Sequence, residues 1–154
     1  MAVLPAGSNV YGADFPPSQF DQDWTTILNI TTTTYVAGTP EVAVSMTAPS
    51  SGKVLVCMGC GIRNNAATTE RAIVTYQIFE DSLNGAVFSA PLDDRGVKSC
   101  GIAVSQEYQY HGNMDLITGL TPGRSYYFQV VHLSLAGAGT VDIASRNIMV
   151  IPVP

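Results

Sequence analysis

From residue 25 onward the chain alternates apolar and polar positions in short runs. A period of two is the pattern of strands with one face turned to a core. In the run 41–47, Val42, Val44 and Met46 share a face; in the run 72–79, Ala72, Val74, Tyr76 and Ile78 do. Residues 53–62 are apolar on both faces, which predicts a central strand. Residues 25–36, with threonine at all of 31–34, predict another strand, and residues 86–89, 102–110, 114–118, 125–135 and 140–153 complete the set. Between the runs lie turn signals: Pro49-Ser50-Ser51-Gly52, Asn64-Asn65, Asn84-Gly85, Asp93-Asp94-Arg95-Gly96 and Ala136-Gly137-Ala138-Gly139. Asn84-Gly85 is the sequence of a type I′ hairpin. Some eight to ten strands about 8–12 residues apart, with no sizeable helical run, predict an all-β antiparallel sandwich with jelly-roll-like character. Pro152 and Pro154 suit a sheet edge.

One corner stands out. In Leu120-Thr121-Pro122-Gly123-Arg124-Ser125-Tyr126-Tyr127, proline presets φ and glycine takes the positive φ of the next position. A leucine before such a corner and a tyrosine after it recur in β-sandwiches, where the tyrosine hydroxyl ties the corner down. Leu120, Pro122, Gly123 and either Tyr126 or Tyr127 are therefore expected to form a structural corner.

Residues 1–24 do not share the alternation. They hold Pro5, Pro16 and Pro17 together with the aromatics Tyr11, Phe15, Phe20 and Trp24. The division expected is an N-terminal docking arm over 1–24 and a sandwich over 25–154. A short helix capped by Ser18 is a candidate within the arm. The four aromatics need a surface to pack on, and Tyr11, Phe15, Phe20 and Trp24 are the assembly residues expected. Deleting residues 2–24 is expected to leave a folded β domain.

Charge changes the picture. Only 12% of the 154 residues are charged, about half the usual share of roughly 25%. A covered surface explains such a deficit, and an oligomer, a homotrimer, is expected. The net charge is −5, and Asp14, Asp21, Asp23 and Glu41 all precede the first basic residue, Lys53. No basic patch is present, so nucleic acid is not an expected partner. No basic, apolar leader opens the chain and no apolar run approaches the roughly 20 residues of a membrane helix, so synthesis in a cytoplasm and no membrane contact are expected.

Candidate chemistry is thin. Cys57-Met58-Gly59-Cys60 has the C-x-x-C spacing, but on a strand residues three apart face opposite ways. With Cys100 the count is odd, and core filling is the expected role. His132 and Ser134 share a strand face, yet no nucleophile elbow or oxyanion loop accompanies them. His111, Asp93, Asp94, Asp115 and Asp142 match no metal-binding spacing. No catalytic residue, cofactor or metal is expected, and the protein is expected not to be an enzyme.

Three segments together resemble a known group. Residues 42–56 contain Thr47-Ala48-Pro49-Ser50-Ser51-Gly52-Lys53; residues 119–127 contain Leu120-Thr121-Pro122-Gly123; residues 146–152 are Arg146-Asn147-Ile148-Met149-Val150-Ile151-Pro152. They resemble, in order, the strand–turn–strand, corner and terminal strand of β modules in virion proteins from tailed phages of actinobacteria. Weaker similarity links the first to trimeric jelly rolls of the C1q and tumour-necrosis-factor type, and the second to fibronectin type III domains. The fibronectin type also requires an early-strand tryptophan, whereas Trp24 lies in the arm. The phage resemblance implies a non-enzymatic structural part of the virion. A module nearly alone behind a short arm favours a capsid decoration protein that sits on the virion surface and binds the major capsid protein. The alternatives are a minor tail protein, with tail proteins or a host-surface glycan as partner, and a small carbohydrate-binding module using Tyr108 and Tyr110.

Overall fold

The computed structural model describes residues 15–64, 71–98, 107–135 and 141–154. Among them are eleven strands: β1 (Gln19–Asp23), β2 (Ile27–Ile30), β3 (Val36–Ala37), β4 (Ala43–Thr47), β5 (Lys53–Asn64), β6 (Ala72–Glu80), β7 (Val87–Ser89), β8 (Val97–Lys98), β9 (Gln109–Ile117), β10 (Ser125–Ser134) and β11 (Val141–Val153). One antiparallel sheet runs β1/β2, β11, β5, β9, and the other runs β3/β4, β10, β6, β7/β8. If β1/β2, β3/β4 and β7/β8 each count as one interrupted strand, the orders along eight positions are 1-8-3-6 and 2-7-4-5. That is the strand order of a jelly roll. The protein is an all-β antiparallel sandwich.

The alternation read in the sequence puts one face of each strand between the sheets. Val54, Val56, Met58, Cys60 and Ile62 of β5 meet Val74, Tyr76 and Ile78 of β6 and Tyr126, Phe128 and Val130 of β10 in one core. In β11 the inward residues are Val141 and Ile143, then Ile148 and Val150. The parity switches because Ala144 pairs with Gly61 and Asn147 with Gly59, so one extra residue sits in β11. Ser145 takes the positive φ of 52° in this β-bulge. The bulge keeps both halves of the strand facing the core and turns Arg146 inward with them.

Several sequence expectations are corrected. No helix forms at 18–23; Gln19–Asp23 is extended and pairs antiparallel with β11 from Gln19↔Val150 to Asp23↔Arg146. The supposed arm therefore contributes a strand to the sandwich, since an edge strand satisfies more backbone groups than one turn of helix. The run 25–36 is broken at the threonines, where Thr32 Oγ1 donates to the Thr34 carbonyl and accepts the Thr34 N–H. Such local bonds compete with the ladder. Neither Asn84 nor Gly85 has the positive φ of a type I′ turn. Gly85 is needed because a Cβ there would lie 1.6 Å from the Glu80 carbonyl oxygen. Residues 109–117 form one strand through Gly112, which pairs with Gly59. Pro152 lies in the inner strand β11, but β1 pairs no further than Val150, so β11 is one-sided there.

Candidate docking surface and the corner that braces it

The corner is built from turn chemistry. Arg124 N–H donates to the Thr121 carbonyl at 3.1 Å, and Gly123 has φ 78°. Pro122 then occupies the first corner position and Gly123 the second, as a type II turn requires. Tyr126 is buried, and its hydroxyl accepts the Thr121 N–H at 2.9 Å. Tyr127 faces the other way and donates to Glu41. A second turn locks onto this one. Gly123 N–H donates to Ala48 O at 3.0 Å, Ala48 N–H to Arg124 O at 2.8 Å, and Leu120 N–H to Gly52 O at 3.1 Å. Gly52, at φ 65°, would place a Cβ 2.5 Å from the Leu120 carbonyl oxygen. Ser51 Oγ donates to the Val153 carbonyl. The three segments that carried the sequence resemblance thus meet at one end of the sandwich.

Among the described residues, the outer face of the first sheet carries two apolar rows that nothing covers. Register places Phe20, Met149, Cys57 and Met114 in one row across β1, β11, β5 and β9. The next row is Ile151, Leu55 and Leu116. Met114 is 65% exposed, Leu116 53% and Phe20 52%. Gly61 leaves room for the Tyr110 ring to lie against the sheet, 3.0 Å from where a Cβ would stand. Among the described residues, no Asp, Glu, Lys, Arg or His points outward between these rows and Tyr110. Lys53 closes one end of β5, and Arg63 closes the other, bonded to Asp142 at 2.8 Å and lying over the Tyr108 ring.

The second sheet is different. Its outward Ile73, Thr75 and Val131 are buried. The chain itself covers them: Thr75 Oγ1 donates to Leu92 O, a Cβ on Gly96 would press on Ile73, and Tyr35 bonds Asp93. Further along, Glu41, Tyr127, Gln129 and Gln77 form a hydrogen-bonded polar strip.

Of the expected docking aromatics, Phe15 is 44% and Trp24 70% exposed, and Phe20 lies on the apolar face; Tyr11 falls outside the described residues. The acidic residues nearby turn inward. Asp21 accepts the Ala43 N–H at 2.9 Å and so ties β1 to β4. Asp23 pairs with Arg146.

Arg146 is the feature the sequence reading missed. Its side chain is 0% exposed, and its Nε and Nη1 have no hydrogen-bond partner among the described residues. Gly38 lies against it, since a Cβ there would fall 1.6 Å from Nη1. Burial of Asp23 is outweighed by bonds from Thr25 and Arg146, which hold its carboxyl below the ordinary carboxylate value. Burial, with the Arg146 charge adding to it, lowers His132 to about 4. Burial pushes the Cys60 thiol up to about 12 against the pull of Arg146. The signal was the parity switch: inward odd positions at 141 and 143, even ones at 148 and 150.

The remaining candidates are dispersed. Cys60 is buried and Cys57 faces outward; Cys100 lies outside the described residues. His132 and Ser134 are both inside the core. Tyr110 is exposed, and Arg63 lies over one face of the Tyr108 ring. Asp115 accepts from Tyr76 and pairs with Arg95 at 3.0 Å. Among the described residues, no three His, Cys, Asp or Glu side chains group as metal ligands.

No protein-family model matches the sequence, and no curated protein matches it. Similar solved structures exist. A chain of infectious bursal disease virus, Gt strain, is 11% identical with a TM-score of 0.48, over 99% of this chain and 36% of that one. The virus's VP2 subviral particle gives 11% and 0.46, over 99% and 37%. The CBM22-1 xylan-binding domain of Paenibacillus barcinonensis Xyn10C gives 9% and 0.39, over 88% and 87%. The chain thus spans about a third of the viral chains' length.

Proposed function

We propose that this chain is a non-enzymatic structural protein of a tailed-phage virion, a decoration protein that assembles with itself and clamps the head surface. The observation that carries the reading is the corner. Three sequence segments, each resembling part of a phage virion β module, adjoin there: two turns are joined by backbone hydrogen bonds, and the third segment pairs along the first in the β5–β11 ladder. The resemblance thus follows a structural unit and not scattered residues. The uncharged sheet face and the exposed Phe15, Phe20 and Trp24 supply surface for contacts to neighbours. A protein that binds only the mature shell stabilises it by mass action.

The test uses virions of the phage that encodes the chain. Disrupted particles are separated into heads and tails, and each fraction is analysed by mass spectrometry. The chain is expected in the head fraction, and heads lacking it should lose their contents at lower temperature until purified protein is added back. Presence in the tail fraction alone would assign the chain to the tail, and absence from both fractions would overturn the reading.

A further inference from the structure

We infer that the fold encloses an ordered-water site beside the Arg146 guanidinium, where water accepts from the Nε–H and Nη1–H groups and bridges to Nδ1 of His132.

Three buried nitrogens point to the site. Nε and Nη1 of Arg146 and Nδ1 of His132 have no hydrogen-bond partner among the described residues. The Arg146 side chain is 0% exposed and His132 is 4% exposed. Buried polar groups are almost always paired, with protein or with ordered water, because an unmade bond forfeits the whole of the group's hydration. A guanidinium asks for more than most groups, since it is charged and holds five N–H donors in a fixed fork. Asp23 accepts from Nη2 alone.

The two side chains face the same interior. The bulge turns Arg146 inward from β11, and His132 continues the inward row of Tyr126, Phe128 and Val130 on β10. The Arg146 charge acts on His132 and on Cys60 alike. The groups around the guanidinium are small. Gly38 has no side chain where a Cβ would overlap Nη1, and Cys60 stands opposite the bulge between Gly59 and Gly61.

Charge selects the ligand. Burial and the Arg146 charge keep His132 neutral at pH 7, so one of its ring nitrogens is an acceptor. Burial keeps the Cys60 thiol neutral as well. Arg146 and Asp23 then balance each other. A halide or another small anion would add an uncompensated negative charge to the interior, at far higher cost than a neutral guest. Water can accept from the arginine and donate to the imidazole at once, which gives it the two or more polar partners an enclosed water needs. The bridge leaves the His132 proton on Nε2, because Nδ1 has to be the acceptor.

Two measurements on the wild-type chain at pH 7 test the site. The first is a crystal structure at a resolution that shows ordered water, with a second crystal grown in bromide. The second is NMR, which reads transfer from water to the Arg146 Nε–H and the protonation of each His132 ring nitrogen. Water within hydrogen-bond distance of Nε, Nη1 and Nδ1 is expected, with no anomalous bromide signal there. The spectra should show transfer from a long-lived water to the Arg146 Nε–H and a proton on Nε2 of His132. Bromide in the site, protein oxygens bonded to Nε and Nη1, or a proton on Nδ1 would each overturn the inference. So would water that touches Arg146 without reaching His132.

Discussion

At the scale of single residues, Tyr126 and Arg146 make opposite kinds of contribution. Tyr126 satisfies a backbone N–H that has no other partner in the corner. Tyr126→Phe should cost about 1–2 kcal/mol, the loss of one buried bond with its donor left unpaired. Tyr127→Phe should cost less, because its bond to Glu41 is exposed. Equal losses in urea titrations of the two variants would argue against a tyrosine corner. Arg146 is costly to bury and tolerable only with Asp23 beside it. Asp23→Ala should therefore lose roughly 3–5 kcal/mol, whereas Asp23→Ala with Arg146→Met should recover most of it, because the uncompensated charge is gone. A double variant no better than the single would show that the ion pair is not what Asp23 supplies.

His132 adds a dependence on pH at the same scale. Its folded value of about 4 lies below the ordinary 6.5, so the unfolded chain binds the extra proton between them. Stability from this group is complete above about 6.5 and lost as pH falls toward 4, by roughly 3 kcal/mol in all. Asp23 acts in the same direction but only below the ordinary carboxylate range. Stability measured across that window should slope for the wild type and be flatter for His132→Gln. Parallel curves would mean that His132 takes up its proton inside the fold.

At the scale of elements, β4 was legible because one buried face enforces alternation, and β6 and β10 because their residues are β-branched and aromatic. The corner was legible because Pro122 and Gly123 each permit little else. What escaped the sequence depended on partners far along the chain. Gln19–Asp23 shows no hydrophobic alternation, and it is a strand because β11 offers it an edge. Its inward Asp21 and Asp23 look like a solvated acidic stretch until Ala43 and Arg146 are placed beside them. Removing residues 2–24 would thus take away β1 and the partner of a buried arginine, and the remaining domain would not be expected to fold as the sequence alone suggested. The apolarity of β5 on both faces correctly marked an inner strand. It also held a second message, because one of those faces is open among the described residues.

At the scale of the whole molecule, the two sheets divide the work. One is screened by its own loops and a polar strip; the other presents an uncharged face continuous with the exposed aromatics of the N-terminal segment. Part of the low charge content read in the sequence lies, among the described residues, on this face. The fold alone does not assign a role, since sandwiches of this kind serve many.

The strand order also governs when the molecule can exist. Among the described residues β11 is the only strand with which β1 and β2 pair in their sheet, and it is made after the other ten. Until residues 141–153 emerge, the first two strands have no ladder to join, although they were made first. Pairing such as Gln19↔Val150 is as non-local as this chain permits, and folding dominated by such contacts runs on the scale of about milliseconds to seconds. The nascent chain must wait with its sticky strands open, and a prematurely terminated copy cannot close the sheet. The topology thereby admits only chains that were translated through β11.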